Sequence, residues 1–342
     1  MDLYQKVNNR VYVIAEMSAN HGGSLERAKE IIRVAKENGA DCIKIQTYTA
    51  DTMTIDCDNK YFNLSKGTWA GENLYSLYEK AYTPWEWHDD LKQEAEKNGI
   101  DFLSTPFDIS SMDFLEEAGM EYYKIASFEL VDIPLIKYIA SKGKPIIMST
   151  GMSNLGEIQE AVDVIKEAGC QLVLLKCTSA YPTVYEEMNI RTMANLKETF
   201  DVPVGLSDHS MGDVAALAAV ALGGKVIEKH LCLDRSLDTP DSVFSMEPEE
   251  FKNMVQRIRQ MESVLGKVNY NTVACESTDI INRRSVFVVQ DIREGELLTK
   301  DNVRIIRPGY GLKPKYYDEV IGQRALQDIK RGTPLCFELI GR

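Results

Sequence analysis

The sequence predicts an α/β protein: a (β/α)8 barrel of parallel strands followed by a small C-terminal β-rich domain. Three observations carry that expectation. Eight short β-rich runs recur over residues 11–231, with amphipathic stretches between most of them. Five helix-like segments end in glycine directly before an apolar run, as in ENGADCIKI, KNGIDFLST, EAGMEYYKI, SKGKPIIMS and EAGCQLVLL. Beyond Gly266 the helical periodicity stops and a different texture begins.

The first run, VYVIAEM at 11–17, is almost continuously apolar, as suits a parallel strand buried on both faces. Leu25, Ala28, Ile31, Ile32 and Ala35 then recur at helical spacing, with Arg27, Glu30 and Lys36 elsewhere on the turn. CIKIQTY at 42–48 is the second run, and DFLSTPF (101–107), YYKIAS (122–127) and PIIMSTG (145–151) follow. LVLLKCTS (172–179), PVGLSDH (203–209) and KVIEKHL (225–231) complete the eight. Gly39, Gly99, Gly119, Gly143 and Gly169 suit the left-handed residue just past a helix end. No glycine-rich phosphate loop follows the first run, which disfavours a doubly wound open sheet.

Residues 1–266 are therefore expected to form a TIM barrel, 267–281 (KVNYNTVACESTDII) a linker, and 282–342 the small domain. Within the last, DIREGELL and DIKRGTPL repeat one pattern and suggest internal pseudo-symmetry.

A net charge of -13 argues against nucleic acid as the main partner. No run approaches the roughly 20 apolar residues that span a bilayer, so no membrane partner is expected. MDLYQKVNNR lacks an apolar signal core. The seven scattered cysteines contain no CxxC pair, which speaks against structural zinc or a disulfide framework and for a reducing cytoplasm. Cys42, Cys177 and Cys232 lie in apolar runs and read as small hydrophobes.

Polar residues gather at the C-terminal ends of the runs, where barrel enzymes build their sites. Alternation lets Ser207 and His209 share a face of their strand, as do Glu228 and His230 on theirs. Two imidazoles on adjacent strand ends can hold a divalent metal or can be hydrogen-bonded core histidines. Lys44 and Lys124 should point into the barrel mouth; they either pair with a carboxylate such as Glu16 or bind a phosphate or carboxylate ligand. Ser127, Ser149 and Ser207 can add hydroxyl donors, but the chain must bend after Lys124 for Ser127 to join it. Arg307, in IIRPGYG, sits at a turn that either presents its guanidinium or leaves it solvated.

IAEMSANHGGSL, KIQTY, STPFD, YKIASFE, MSTGM, CTSAYPT, GLSDHS, ALGGKVIEKH and RPGYG, in this order along the whole chain, resemble the sialic acid synthase family. QTYTADTMTID, GTWAGENLYSLYEKAYTPWEWH and KCTSAYPT look like its pseudaminic acid synthase branch; the sialic acid branch usually has Asn where this chain has Ser179. The resemblance implies a TIM barrel joined to an antifreeze-like (SAF) domain, in a domain-swapped homodimer whose small domains cover the partner barrels. It implies metal-dependent condensation of phosphoenolpyruvate with open-chain 2,4-diacetamido-2,4,6-trideoxy-L-altrose, giving pseudaminic acid and phosphate.

Carried over residue by residue, His209 and His230 would hold Mn2+, with Mg2+ or Co2+ as substitutes. Lys44, Thr105, Lys124, Ser127, Ser149, Ser179, Ser207 and Arg307 would bind phosphoenolpyruvate, making a basic pocket in an acidic protein. Glu16 would contact the sugar and move protons, with Glu129, Tyr181 and Asp241 as further sugar-side residues. Trp69, Tyr75 and Tyr78 either line an apolar wall for the sugar methyl or pack helices. Asn20 and His21 would shape the loop after the first strand.

Alternatives remain at this point. N-acetylneuraminate or legionaminate synthesis would use another N-acetylated hexose. A heptulosonate-type synthase would need an extra basic cluster for a sugar phosphate, and none is evident. A barrel hydrolase usually shows His-x-His on its first strand, which VYVIAEM lacks. A non-catalytic carbohydrate-binding protein would leave the polar strand ends unexplained.

Overall fold

In the computed structural model, which describes residues 2–341, the eight runs become β1 Tyr12–Glu16, β2 Cys42–Thr47, β3 Asp101–Pro106, β4 Tyr123–Ile125, β5 Ile146–Ser149, β6 Leu172–Cys177, β7 Val204–Asp208 and β8 Val226–His230. All ladders are parallel, in the order β3-β2-β1-β8-β7-β6-β5-β4, and the two ends of that order, β3 and β4, lie against each other. That closes the barrel and leaves no exposed edge.

The helices of this unit are α1 Leu3–Asn9, α2 Leu25–Glu37, α3 Ala50–Met53, α4 Leu74–Ala81, α5 His88–Asn98, α6 Ile109–Glu117, α7 Ile133–Ala140, α8 Leu155–Glu167, α9 Arg191–Phe200, α10 Val214–Ala221 and α11 Pro248–Leu265. The expected amphipathic helix is α2: Ser24 accepts a bond from the Arg27 amide at its start, and Ala28, Ile31, Ile32 and Ala35 are buried. Its partners in one large cluster are the outward residues of the strands, including Ile43, Ile45, Leu206 and Ile227. The five expected helix-terminal glycines all take positive φ, from 64° at Gly99 to 91° at Gly39.

Helix α1 was not legible as a helix. It places Leu3 and Val7 in the inner cluster with Tyr12, Ile14, Leu103 and Ile147, and Lys6 pairs with Asp101. The barrel's N-terminal end is thereby plugged, which leaves the opposite end for a site.

A second unit begins at Lys267. The segment 267–281 is not structureless throughout: two 3-10 turns, Ala274–Glu276 and Asp279–Asn282, occupy its later part, and the Ile281 carbonyl accepts from Gly309. Strands β9 Ser285–Val288 and β10 Val303–Ile306 pair antiparallel, and a short helix α12, Tyr317–Val320, packs nearby. The two repeats face each other about a local pseudo-twofold. Ile292 and Ile329 exchange backbone bonds, the Arg331 amide donates to Asp291, and the equivalent Glu294 amide donates to Asp328.

Candidate active site

The inner face of the barrel changes character at one height. Ile14, Cys42, Leu103, Tyr122, Ile147, Leu175 and Val226 form the inner apolar layer. Two residues further along the same strands stand Glu16, Lys44, Thr105, Lys124, Ser149, Cys177 and Glu228, and Ser207 joins them on β7. Alternation keeps each pair on one face, so the polar ring sits directly on the apolar floor.

The charges in this ring are paired. Lys44 forms an ion pair with Glu16 and lies 3.7 Å from Glu228, whose Oε1 is 3.9 Å from Lys124. Lys124 donates to the Ser149 hydroxyl at 2.7 Å, Ser207 donates to Glu228 at 3.1 Å, and Lys44 reaches Thr105 at 3.5 Å. Burial pushes the Lys44 ammonium down, but Glu16 and Glu228 outweigh it and hold the pKa above its ordinary value. Lys124, more weakly compensated, is left below its ordinary value by burial. Burial raises Glu16, with Lys44 opposing and the like charge of Glu228 adding. Burial also works against Glu228, yet Lys124, Lys44 and His209 bring it below the usual carboxylate range.

The expected basic pocket is therefore not present in the barrel unit. Two ammonium groups are offset by two carboxylates, because a buried lysine without a counter-ion is too costly. Glu228, which carried no role in the sequence reading, is the residue that bridges both lysines.

Next come the hydroxyls. After β4 the chain turns into a 3-10 helix, Phe128–Val131, so Ser127 swings to the same side as Lys124 and accepts the Gly151 amide at 3.0 Å. A Cβ at Gly151 would stand 2.7 Å from the Ser127 hydroxyl and 2.2 Å from that of Ser179, so both close on one backbone point. Ser179 in turn lies 3.6 Å from the Cys177 sulfur, which is 3.8 Å from His209 Nδ1. Cys177 is thus no mere small hydrophobe. Burial would raise its thiol, but the His209 imidazole overcomes that and brings it to about 6.

His209 and His230 have ring centroids 5.4 Å apart, as strand adjacency predicted. His209 Nδ1 stands 3.1 Å from the Thr178 carbonyl, which can only accept, so that nitrogen bears a proton and Nε2 is the atom that loses its proton when the ring binds a metal. Burial lowers the His209 pKa, but Cys177 and the Thr178 carbonyl outweigh it and hold it above its ordinary value. His230 Nδ1 is buried without a hydrogen-bond partner among the described residues. Burial and the neighbouring cations, His209 first, keep that imidazole well below its ordinary pKa and so neutral, the form that binds metal. The pair fits a divalent cation with two protein ligands, the rest coming from water or substrate. No group of three or more His, Cys, Asp or Glu among the described residues is arranged to hold one.

The other two histidines are structural. His21 accepts the Gly23 amide and meets Thr83, and His88 meets Thr47 and the Trp85 carbonyl. Asn20 donates to the Leu231 carbonyl and Ser245 and accepts from Thr239, which holds the loop after β1.

An aromatic wall flanks the imidazoles. The Tyr181 ring lies 4.2 Å from His209, and Phe244 lies 5.0 Å from His230 and 5.1 Å from Tyr181. Trp69 reaches this wall, 5.5 Å from Tyr181, and its indole donates to the Pro240 carbonyl. Tyr78 packs on Tyr48 instead, and Tyr75 donates to Asp51, so those two are not part of it. Asp241 accepts the Ala19 amide, and burial raises its pKa. Glu129, in the 3-10 helix after Ser127, has a buried Oε2 without a hydrogen-bond partner among the described residues, and burial lifts its pKa to about 7. Arg307 is exposed on the loop after β10 and makes no ion pair among the described residues.

Comparisons with known proteins bear on this geometry. The NeuB family model matches residues 31–270 and the SAF domain model residues 283–339. A pseudaminic acid synthase of Campylobacter jejuni is 45% identical over 329 residues, 96% of either chain. An N,N'-diacetyllegionaminic acid synthase of Legionella pneumophila is 38% identical, over 96% of this chain and 94% of that one. The crystal structure of an N-acetylneuraminic acid synthetase from Leptospira borgpetersenii, in complex with citrate, superposes with a TM-score of 0.72 at 33% identity, covering 80% of this chain and 91% of that one.

Proposed function

The chain belongs to the NeuB family, and from that membership we propose that it joins phosphoenolpyruvate to open-chain 2,4-diacetamido-2,4,6-trideoxy-L-altrose, giving pseudaminic acid and inorganic phosphate. Enzymes of the pseudaminic and sialic acid synthase type are C–C bond-forming transferases, and this chain is one. The observation that carries the finer reading is the junction of two environments: a lysine and hydroxyl ring beside two neighbouring imidazoles, of which His230 has an unpartnered ring nitrogen among the described residues. The first suits an anionic enol ester, the second an aldehyde.

In this reading Lys44 and Lys124 bind the phosphate and carboxylate of phosphoenolpyruvate, with Thr105, Ser127, Ser149, Ser179 and Ser207 adding hydrogen bonds. Both ammonium groups are already offset by Glu16 and Glu228, so a multiply charged anion needs further positive charge. Arg307 of the partner chain in a homodimer supplies part of it. His209 and His230 would hold a divalent cation, Mn2+ by preference, which when bound acts as a Lewis acid on the sugar aldehyde.

The enol carbon of phosphoenolpyruvate forms a bond to the aldehyde carbon, and the aldehyde oxygen takes up a proton. Glu16, ionised in its pair with Lys44 and made more basic by burial, relays to that oxygen the proton given up by the water that adds at carbon two. Water adds to the resulting cation at carbon two, and the tetrahedral centre collapses to the ketone by C–O cleavage, releasing phosphate. The Ser127, Gly151 and Ser179 cluster and the two lysines hold the departing phosphate in place.

For the sugar, Asp241, Glu129 and Tyr181 offer polar contacts, while Trp69 and Phe244 supply apolar surface for a six-deoxy methyl. The higher identity to the Campylobacter enzyme than to the Legionella enzyme supports the altrose derivative. Phosphate release from phosphoenolpyruvate, with this sugar, N-acetylmannosamine and the legionaminic precursor side by side, tests the reading. Turnover should be fastest with the altrose derivative and vanish on chelation. Full activity after rigorous metal removal would end the role given to the imidazoles, and preference for N-acetylmannosamine would end the sugar assignment alone.

A further inference from the structure

The stretch Glu228-Lys229-His230 ends β8 in three ionisable residues, and only the outer two face the barrel interior. Lys229 turns to the opposite side, toward the helical layer, with a side chain 1% exposed. Its position on the neighbouring strand is taken by Asp208, which is its Cα partner in the β7–β8 ladder and is 0% exposed at the side chain. The residues that precede them on this same face, Leu206 and Ile227, are apolar members of the outer core. A charged pair thus replaces the apolar layer at one level only, the level of His209 and His230.

The pair is fully engaged. Lys229 Nζ lies 2.8 Å from Asp208 Oδ2 and also donates to the Ser210 carbonyl. Asp208 Oδ1 accepts both the Ser210 amide, at 2.8 Å, and the Ser210 hydroxyl, at 2.7 Å. The backbone on both sides of His209 is therefore tied to the residue that precedes His230. Ser210 also bridges Thr183, whose amide donates to the His209 carbonyl at 3.0 Å. Thr183 belongs to the loop that presents Tyr181 against the His209 ring.

We propose that Asp208, Lys229 and Ser210 form a clamp on the outer face of the barrel that sets the separation and orientation of the two imidazoles. They are positioning residues, since none touches a reacting atom. A buried ion pair stabilises a fold no better than well-packed apolar residues of similar volume, so stability alone does not account for one at this level. What apolar packing lacks is direction: it would not dictate how the 208–210 backbone turns as it leaves β7.

The test compares the wild type with Lys229→Met, the double variant Asp208→Leu with Lys229→Met, and Ser210→Ala. The first readout is the long-range proton–nitrogen correlation of the imidazoles in the metal-free protein, which has only four histidines. The double variant should regain the melting temperature that Lys229→Met loses by stranding Asp208, yet the His209 and His230 signals should move while those of His21 and His88 stay. Ser210→Ala, which deletes one hydroxyl and keeps the ion pair, should move the His209 signal alone and less, and it serves if the double variant folds poorly. Unmoved His209 and His230 signals in a double variant with wild-type stability would overturn the clamp.

The second readout, which rests on the metal reading above, is Mn2+ affinity by electron paramagnetic resonance of free Mn2+. Loss of such an orienting contact typically weakens a metal site by about 10- to 100-fold, and that loss is expected in the double variant. A wild type that binds no Mn2+ would sink the metal reading and leave the imidazole signals to decide the clamp. An unchanged affinity beside shifted signals would count against the clamp as a device for the metal.

Discussion

Replacing Lys124 by methionine separates the anion-binding role of that residue from any structural one. The residue is 1% exposed, and its ammonium donates to Ser149 at 2.7 Å and to the Ile125 carbonyl at 3.1 Å and stands 3.9 Å from Glu228. Methionine keeps the stem and most of the volume but no charge. Two hydrogen bonds are lost at about 1 kcal/mol each, while the cost of holding a desolvated ammonium disappears. Burial already holds the Lys124 pKa below its ordinary value, so that cost is real. Glu228 keeps Ser207 and Lys44 as partners. Stability should therefore change by no more than about 2 kcal/mol in either direction. A charge-assisted bond from Lys124 to phosphoenolpyruvate is worth about 1.5–3 kcal/mol, which predicts a rise of about 10- to 150-fold in its KM. The sugar KM should move less than about threefold, since a residue that does not touch the sugar adds little to its binding. Steady-state phosphate release with each substrate varied in turn reads both constants. An unchanged KM for phosphoenolpyruvate in a folded variant would refute the assignment of the polar ring to that substrate.

Three further outcomes follow from the geometry. Gly151→Ala drives a methyl to within 2.2 Å and 2.7 Å of the Ser179 and Ser127 hydroxyls; phosphoenolpyruvate binding by calorimetry should fall while far-ultraviolet dichroism stays unchanged. Glu129 titrates near 7 when folded against an ordinary 4.5, so the native state binds more protons across that window and stability falls as pH rises through it. At about 1.4 kcal/mol per pH unit this amounts to on the order of 3 kcal/mol, and urea midpoints between pH 5 and 8 should slope less in Glu129→Gln than in the wild type. If Arg307 completes the partner's site, mixing Arg307→Ala and Lys124→Met chains, at a phosphoenolpyruvate concentration too low for either variant alone to turn over appreciably, should restore roughly a quarter of wild-type turnover, because half the dimers then hold one intact site; no recovery would place Arg307 elsewhere.

The barrel was legible because its signals are local. Apolar runs of strand length and glycines at helix ends each reflect one residue's own conformational needs. The inward direction of Lys44, and the neighbourhood of His209 and His230, followed from alternation along a strand. What alternation cannot supply is pairing. It put Glu228 on the inner face without revealing that one carboxylate spans two lysines, and it could not foresee that this pairing neutralises the pocket. Cys177 read as a hydrophobe because its neighbours in sequence are apolar, whereas its neighbour in space is His209 on the adjacent strand. Asp208 and Lys229 were invisible as a pair for the same reason. Trp69 lies in the irregular segment between α3 and α4, where no periodicity tells which aromatic folds back; Tyr75 and Tyr78, on a helix nearby, looked equally eligible. Gly151 carries no side chain to read at all, and only the crowding around its missing Cβ marks it.

Anomalous diffraction from crystals soaked with Mn2+ and phosphoenolpyruvate tests the central claim most directly. One manganese peak within bonding distance of His209 Nε2 and of an imidazole nitrogen of His230, beside a phosphate on Lys44 and Lys124, is the predicted result. A manganese bound elsewhere, or a phosphoenolpyruvate away from both lysines, would contradict it.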